Sequence, residues 1–375
     1  MTHPFTIRVV TDSEEFGALA PSWSALMQRA QTGNIFLTHE WLFHWARHYV
    51  RRGKHQLWVL LVEDHSGRVR GIAPFYIAHR GRLPLFVCRE VAFLGSQHVG
   101  SMYLDVIAEP RDRRAVVRTL YEYLFRDGRR HWDILSLEQL PAESETIDVL
   151  QACLDQDGKA WRIVETGACP TVQLPCSWRE YVGRLSANTR YNLQRKLKIL
   201  EQEGEVAYRH VTKGPEAAAG FETLIRLHEK RWISKDRGGG AFRRTEFLAF
   251  HQAFAMLAAD KGWLSLSVLL VDQRPIAGIY GFVYEGTYYF YLPGFDPDVA
   301  PSASPGMLIL ARRLEQAIAE GHWHVDLLRG AADYKLSWAT GLRRTLSLRA
   351  YNRRWPALAR YLLEALKESV KLTVR

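Results

Sequence analysis

The most constraining feature of this sequence is that its two halves carry similar short segments in the same order. Four anchors recur with an offset of about two hundred residues, which is the signature of a duplicated unit of domain size. The matched segments are residues 36–45 and 242–251, residues 59–76 and 268–282, residues 103–104 and 291–292, and residues 131–135 and 322–328. Because 375 residues exceed what one core usually organises, we predict two copies of one α/β unit.

The second copy is clearest between residues 262 and 338, where strand-like and helix-like segments follow one another closely. Alternating or β-branched runs predict strands, and an amphipathic run that begins with Pro and ends with Gly predicts a helix. The predicted elements are strands at 264–271, 275–283 and 287–292, a helix at 307–320, a strand at 325–328, a helix at 333–338 and a strand at 345–351. This order predicts an α/β fold of the mixed α+β kind, with a mainly antiparallel sheet flanked by helices.

The segment Ser304-Pro305-Gly306 comes between the third strand and the long helix. The first amide groups of a helix have no partner within it, so this position suits a phosphate or pyrophosphate. The same three residues also favour helix starts for their own reasons, and simple capping remains the alternative. The first copy has Glu109 at the corresponding place, and a carboxylate there would repel a phosphate.

Seven segments in this order resemble the GNAT-type acyltransferases of the cellulose-biosynthesis and Fem-like branch. They are residues 227–232 (LHEKRW), 275–278 (PIAG), 286–289 (GTYY), 294–297 (GFDP), 304–306 (SPG), 326–330 (DLLRG) and 334–338 (YKxxW). The resemblance covers roughly residues 177–351 and implies two tandem GNAT-like domains. We expect a degenerate domain at residues 1–167, an acyltransferase domain at residues 168–351 and a basic amphipathic helix at residues 352–375.

The resemblance implies acetyl-CoA or another acyl-CoA as the donor. The pyrophosphate loop of the superfamily, Gln/Arg-x-x-Gly-x-Gly/Ala, is missing, and Ser304, Pro305 and Gly306 occupy its place. These three residues are therefore expected to bind the donor. Leu292 and Gly294 are expected to add a backbone amide for the oxyanion, because a glycine at the end of the third strand permits close approach.

Acyl transfer to an amine needs a base, an oxyanion site and an acid for the leaving thiolate. The resemblance implies that Tyr334 is this acid, with packing of its ring as the alternative. Asp326 is a candidate base, although a buried carboxylate more often pairs with a cation such as Arg329 or Lys335. Glu229 and His228, on the helix-like segment before Trp232, are the other candidate bases.

Several further residues are expected to contact substrate. Lys335 and Arg329 follow the strand at residues 325–328 and are expected to place positive charge near the predicted site. Trp232 and Trp338 belong to the segments that carry the resemblance. Arg190 lies in a basic helical region with interleaved aromatic residues, a pattern that binds nucleic acid or sugar phosphates but also describes a solvated helix face.

The composition limits the class of partner. A formal net charge of +10 favours anionic partners such as coenzyme A, nucleotide sugars, tRNA or acidic lipid. The four cysteines form no Cys-x-x-Cys pair, and we expect no metal site. No leader or membrane-spanning run is evident, so a cytoplasmic location is expected.

These observations lead to three hypotheses. The first is an acyltransferase that moves an acyl group from acyl-CoA to an amine or hydroxyl of a small-molecule, sugar or lipid-linked acceptor, in cell-envelope or polysaccharide metabolism. The second is a Fem-like aminoacyl-tRNA-dependent peptidyl transferase, and the third is a non-catalytic binding module on a degenerate acyltransferase fold. Peripheral membrane contact is compatible with each, and DNA is not an expected partner.

The last segment yields the first testable prediction. Its apolar residues recur at helical spacing among basic ones, and they would expose a large patch unless they packed on the fold. Truncation before Arg353 should therefore give an aggregating protein or one with a lower melting temperature. A truncated protein that melts normally but no longer binds anionic vesicles would instead make the segment a membrane anchor.

Overall fold

The structure of the protein is a computed structural model, and it describes residues 5–81, 88–234 and 240–352. The strands are β1 (Phe5–Val10), β2 (His55–Asp64), β3 (Val69–Arg80), β4 (Cys88–Phe93), β5 (Ile107–Ala108), β6 (Ile134–Pro141), β7 (Trp161–Gln173), β8 (Val206–Val211), β9 (Leu264–Val271), β10 (Arg274–Tyr284), β11 (Thr287–Phe295), β12 (His324–Asp326) and β13 (Gly341–Tyr351). The helices are α1 (Ser13–Ala18), α2 (Ala20–Ala30), α3 (His39–Tyr49), α4 (Arg113–Phe125), α5 (Glu145–Gln156), α6 (Trp178–Arg184), α7 (Ala187–Gln202), α8 (Glu216–Ile233), α9 (Thr245–Asp260), α10 (Pro305–Ala319) and α11 (Asp333–Leu336). Within these ranges, no helix has the length and apolar character needed to cross a membrane.

The chain divides into two compact units. Among the described residues, those of 5–167 and 344–352 form the first unit, and those of 168–343 form the second. Residues 344–351 were predicted to belong to the second domain. They group with the first unit instead, because Thr345 to Tyr351 of β13 pair with β6. The predicted helix beyond Asn352 lies outside the described residues.

The first unit contains a mixed sheet in the order β1-β2-β3-β4-β6-β13, with β5 paired to β3. Its pairings are antiparallel except that of β4 with β6, which run parallel from Glu90 opposite Ile134 to Ala92 opposite Ser136. Helix α4 connects these two parallel strands together with a long preceding loop. The fold class predicted for this half is confirmed.

The second unit repeats this arrangement, in the order β7-β12-β11-β10-β9-β8. The strands β8 to β11 form an antiparallel meander, and β11 and β12 run parallel on either side of α10 in the chain. The predicted mainly antiparallel sheet is therefore confirmed here as well. The third strand is longer than predicted, because Pro293 and Phe295 pair with Ile279 and Ala277 of β10 instead of forming a turn.

Helices cover both faces of the second unit's sheet. On one face α6, α7 and α10 enclose a core that includes Tyr181, Leu310 and Trp338. On the other face α8 and α9 pack aromatic rings against the strands, with Phe221 5.0 Å from Tyr280 and Phe254 5.4 Å from Phe282 between ring centroids. The position of α10 is thus determined by burial along its whole apolar side.

A buried ion pair fixes the C-terminal end of α10. The side chain of Arg313 is fully buried, lies 4.4 Å above the ring of Tyr288 and donates to Glu320 at 2.9 Å. Burial alone would raise the pKa of Glu320, but hydrogen bonding to His322 and the charge of Arg313 lower it to about 2. Loss of this carboxylate would leave a buried guanidinium without its counter-charge.

Replacing Glu320 with Gln should therefore destabilise the protein by about 2 kcal/mol at neutral pH, which is less than the roughly 3–5 kcal/mol of a fully buried pair because Glu320 is partly exposed. Its folded pKa lies below the unfolded value near 4.5, so the stabilisation is present above that value and is lost as the pH falls toward 2. The difference in melting temperature between the native and variant proteins should narrow over that interval.

Glu315→Gln on the same helix is the matched control, because Glu315 pairs with Arg312 at the surface. That variant should change stability by less than about 0.5 kcal/mol. Equal losses of stability in the two variants would show that the buried ion pair contributes no more to stability than the surface pair does.

Candidate active site

Two parallel strands separate in the second unit and open a wedge in its sheet. The strands β11 and β12 pair at three positions, from Thr287 opposite His324 to Tyr289 opposite Asp326. Strand β12 ends there, and Leu328, with φ of 55°, turns the chain away. Strand β11 continues to Phe295, so its second half is paired with β10 but not with β12.

The wedge contains a cavity of about 680 Å³. Its lining comes from α7, α8, β11, the start of α10 and α11. The lining residues are Asn188, Thr189, Asn192, Lys196, Arg231, Phe290, Pro293, Phe295, Asp296, Pro297, Pro301, Ser304, Pro305, Gly306, Met307, Tyr334, Ser337 and Trp338. Large apolar rings and prolines alternate with a few polar groups, which is the usual composition of a small-molecule site.

The start of α10 forms one polar region of the cavity. Ser304 precedes the helix in a left-handed conformation, with φ of 53°, and its side chain makes no capping hydrogen bond. The amide of Gly306, at the second helical position, is one of those that no helical carbonyl reaches. Lys196 of α7 also lines the cavity and donates to the carbonyl of Ser302. A cation and a helix N-terminus together suit a phosphate group.

Tyr334 and Arg231 form a second polar region. Arg231 donates from Nη1 to the carbonyl of Pro293 at 3.2 Å, and its guanidinium lies 5.1 Å from the ring centre of Phe295. Tyr334 lines the same cavity and remains 41% exposed. Burial raises the pKa of Tyr334, and the charge of Arg231 acts against that rise.

Asp296 is a carboxylate that lines the cavity, but its charge is already compensated. It is almost fully buried and accepts hydrogen bonds from Lys230 at 2.7 Å and Arg274 at 3.1 Å. Burial by itself would raise its pKa, but these bonds, together with the backbone amide of Asp298, hold the pKa below its ordinary value. Asp296 is therefore suited to holding the loop after β11 and not to accepting a proton.

The predicted bases do not line the cavity. Asp326 is buried at the end of β12, where one carboxylate oxygen accepts from the amide of Leu328 at 2.7 Å. Glu229 and His228 lie on α8, and His228 is buried with Nδ1 3.1 Å from the carbonyl oxygen of Pro293. Burial lowers the pKa of His228, which favours its neutral form. The placement gives none of these residues direct access to a ligand in the cavity.

The predicted donor contacts divide into two groups. Ser304, Pro305 and Gly306 line the cavity, as expected from the helix start. Leu292 and Gly294 do not. A Cβ atom on Gly294 would lie 2.4 Å from the amide nitrogen of His228, so this glycine lets α8 approach β11 and leaves no room for a ligand.

The predicted substrate contacts divide in the same way, since Trp338 lines the cavity and the other four residues do not. Lys335 is buried and donates to the carbonyls of Leu327 at 2.7 Å and Arg329 at 3.0 Å, and burial lowers its pKa to about 8. Its ammonium group therefore supports the loop after β12, with the carbonyl of exposed Arg329 as one acceptor.

Arg190 and Trp232 also serve neighbouring structure. Arg190 donates to the carbonyls of Gly183 and Leu185, at the end of α6. This contact arises because Ser186 caps a new helix, so the basic helical region is divided into two helices, α6 and α7. Trp232 lies against Gly240, where an added Cβ would be 2.5 Å from the indole.

The cavity lining also contains Arg231, Asn188 and Asn192, which were not predicted as site residues, and Lys196, which was considered only as part of the basic helical region around Arg190. Arg231 falls four residues after buried Leu227 on an otherwise apolar helix stripe, and a charged residue in such a stripe is a usable signal. Asn188 and Asn192 lie on α7, on either side of Arg190 in the sequence. Their spacing of one helical turn brings them together, with the amide of Asn192 donating to Asn188 at 3.1 Å.

The first unit has no comparable opening at its own pair of parallel strands, within the residues described. The segment after β4 is buried there, from residue 101 to residue 109, and the amide of Leu104 pairs with the carbonyl of Gln139 on β6 at 3.0 Å. Glu109 accepts from Arg29 at 2.7 Å and pairs with Arg111 at 3.0 Å. The buried chain fills the space beyond the parallel strands. The two arginines neutralise the charge of Glu109, so this carboxylate is not available to repel a ligand as predicted.

Comparison with known proteins agrees with this geometry. The model of the acetyltransferase (GNAT) domain family matches residues 187–336. No curated protein matches the chain. Solved structures with the same fold include FemX, at 9% identity over 94% of this chain and 98% of that one, with a TM-score of 0.61.

Two further structures share the fold at a TM-score of 0.53. One is the C-terminal domain of a protein named as a lysylphosphatidylglycerol synthetase from Agrobacterium fabrum, with 12% identity over 95% of this chain and 96% of that one. The other is L-PGS from Bacillus licheniformis, with 13% identity over 94% and 96%. Residues 187–336 thus match the acetyltransferase (GNAT) domain family, and the chain shares its fold with FemX.

Proposed function

We propose that the protein is an acyltransferase that moves an acyl group from a CoA thioester to an amine or hydroxyl acceptor, with its active site in the cavity of the second unit. The observation that carries the proposal is the combination found there. A phenol lies in the same cavity as a helix N-terminus and a lysine, beside a strand whose neighbour has ended. The first unit, with its wedge closed, has a structural or acceptor-binding role.

The two polar regions match the two chemical needs of such a donor. The start of α10 and Lys196 provide an amide, a helix dipole and a cation for the pyrophosphate. Tyr334 provides a proton for the departing thiolate. The neutral acceptor attacks the thioester carbonyl, and the carbon–sulfur bond breaks as the sulfur takes the proton of the phenol. The proton released by the acceptor then restores Tyr334, directly or through water.

The acceptor is proposed to belong to the cell envelope. The support is indirect, since FemX and lysylphosphatidylglycerol synthetase share the fold, and the latter name specifies a lipid headgroup. A polysaccharide or a lipid-linked sugar fits the same cavity chemistry. Because CoA donors are cytoplasmic metabolites, we propose that the reaction takes place in the cytoplasm or at the inner surface of its membrane.

Transfer of an aminoacyl group from tRNA is the second candidate. Helix α7, which lines the cavity, also carries Tyr191, 64% exposed, together with the exposed Arg195 and Lys198. Interleaved aromatic and basic side chains can hold single-stranded nucleic acid. Thermal shift with acetyl-CoA, long-chain acyl-CoA, nucleotide sugars and tRNA separates the candidates, because a ligand that binds only the folded state raises its melting temperature.

Donor binding can be tested at the start of α10. Lys196→Met should weaken acetyl-CoA binding about tenfold in calorimetry, as expected for loss of one charge-assisted contact to phosphate. Gly306→Trp should abolish binding, since the new side chain would enter the cavity beside Phe295.

Lys198→Met on the same helix is the matched control, because Lys198 is exposed and does not line the cavity. Its affinity should stay native. Pro110→Ala in the first unit should also leave donor binding unchanged, and equal loss at Gly306 and Pro110 would contradict the assignment to the second unit.

The acid can be tested by removing only its hydroxyl. Tyr334→Phe should lower kcat by about 10²-fold with little change in donor affinity, the scale expected for a positioned proton donor. Tyr191→Phe, on the exposed face of α7, should keep native turnover. A Tyr334→Phe protein with native kcat would mean that the proton comes from water, and a loss confined to KM would make Tyr334 a binding residue.

A further inference from the structure

We propose that the cavity of the second unit takes a substrate that carries a carboxylate, and that Arg231 binds this carboxylate. The inference rests on the proposed function, because it names the class of substrate that the same site accepts. The carboxylate belongs either to the acyl group of the thioester or to the acceptor, and different experiments distinguish these two sources.

Arg231 places a positive charge in the wall of the cavity without a carboxylate beside it. Its Nη1 donates to the carbonyl of Pro293 at 3.2 Å, and its guanidinium carbon lies 5.1 Å from the ring centre of Phe295. Both of these partners are uncharged. Across the described residues no acidic side chain pairs with Arg231, and its Nε is buried without a hydrogen-bond partner.

The position of Nε within the guanidinium points to the kind of ligand. Arginine binds a carboxylate through two parallel N–H groups, and Nε together with Nη2 forms one such edge. The contact with Pro293 uses Nη1, so that edge has no carbonyl or carboxylate acceptor among the described residues. A buried donor without an acceptor destabilises the free protein. A ligand carboxylate in the cavity would supply the missing acceptor.

The other charged groups that line the cavity already have partners or another role. Asp296 pairs with Lys230 at 2.7 Å and with Arg274 at 3.1 Å, so its charge is already compensated. Lys196 lies beside the start of α10, where the phosphate end of the donor is proposed to bind. A ligand in the cavity therefore meets one cation, Arg231, that is neutralised neither by the protein nor by the phosphates of the donor.

The ring of Phe295 connects Arg231 with the start of α10. The guanidinium of Arg231 lies over this ring, and a Cβ atom placed on Gly306 would be 3.3 Å from ring carbon Cδ1. The helix start and Arg231 therefore belong to one continuous wall. A ligand with a phosphate at the helix start can extend along this wall and bring a second negative group to Arg231.

The surroundings of Arg231 favour a carboxylate over a second phosphate. The guanidinium lies between aromatic faces, with its carbon 5.7 Å from the ring centre of Trp232 and 5.1 Å from that of Phe295. Its single positive charge matches the single negative charge of a carboxylate. A phosphate monoester carries about −1.5 to −2 charges near neutral pH, and the excess would remain uncompensated beside these rings.

The acyl source is tested by calorimetry with succinyl-CoA and butyryl-CoA, which differ in the terminal carboxylate. If the acyl group carries it, the native protein should bind succinyl-CoA about tenfold more tightly, the scale of one charge-assisted pair. Arg231→Met should remove this preference and keep the native affinity for butyryl-CoA and free CoA, which also shows that the variant is folded. Arg231→Lys should retain part of the preference, because it keeps the charge without the planar edge.

The acceptor source is tested with N-acetylglycine, N-acetylleucine and glucuronic acid, each against its amide. Within a pair the carboxylate is the group that differs. If the acceptor carries it, the acid should raise the melting temperature of the native protein more than the amide does, because a ligand that binds only the folded state stabilises it. In Arg231→Met the two members of the pair should act equally. A preference in either arm that Arg231→Met removes supports the proposal and identifies the source.

Arg226→Met is the matched control, because Arg226 lies on the same helix but is exposed and contacts Thr223. It should keep every native preference. The proposal is overturned if the native protein prefers the acid in no pair, or if a preference persists in Arg231→Met. An equal loss of affinity for succinyl-CoA, butyryl-CoA and free CoA would also overturn it, since Arg231 would then support the cavity or bind phosphate.

Failure of this inference differs from failure of the proposed function. Thioester turnover without any carboxylate preference would support the acyltransferase and reject the role of Arg231. A carboxylate preference that Arg231→Met removes, in a protein that turns over no thioester, would support the role of Arg231 and reject the CoA-dependent reaction.

Discussion

The candidate site depends on one event in the sheet, the separation of β11 from β12 after three paired residues. Parallel strands that part leave backbone and side chains of the longer strand facing open space, and the helix that connects them begins at that opening. The polar start of α10, the phenol on α11 and the anchored arginine on α8 all reach the same cavity for this reason. The buried pair of Arg313 and Glu320 supports the arrangement from the other end of α10.

Comparison of the two units shows that the loop after the first parallel strand determines whether a site can form. Both units have an antiparallel meander followed by a helix and a parallel strand, and each pair of parallel strands meets at three positions. The first unit fills the space beyond them with its own buried chain from residue 101 to residue 109. The shared topology therefore allows a site in either unit. The length and burial of one loop determine whether that site is open.

Periodicity was sufficient to predict most elements of the second unit, because strands β9 and β10 and helix α10 are long enough to show their pattern. The short helix α11 was also predicted, but it has only four residues and shows no period that tells which of its side chains faces inward. Tyr334 and Lys335 are adjacent in sequence, yet Tyr334 lines the cavity and Lys335 anchors the loop behind it. Gly294 was predicted to permit the close approach of a ligand. In the structure it permits the close approach of the α8 backbone instead.

The spacing of four prolines in the cavity wall has a thermodynamic consequence. Pro293, Pro297, Pro301 and Pro305 follow one another at intervals of four residues along the segment from β11 to α10. Each has a restricted φ and no amide proton, so this wall has little backbone freedom to lose when a ligand arrives and offers few donors of its own. Ligand binding should therefore cost little conformational entropy in this wall. The few polar side chains that interrupt the wall should determine which ligands are preferred.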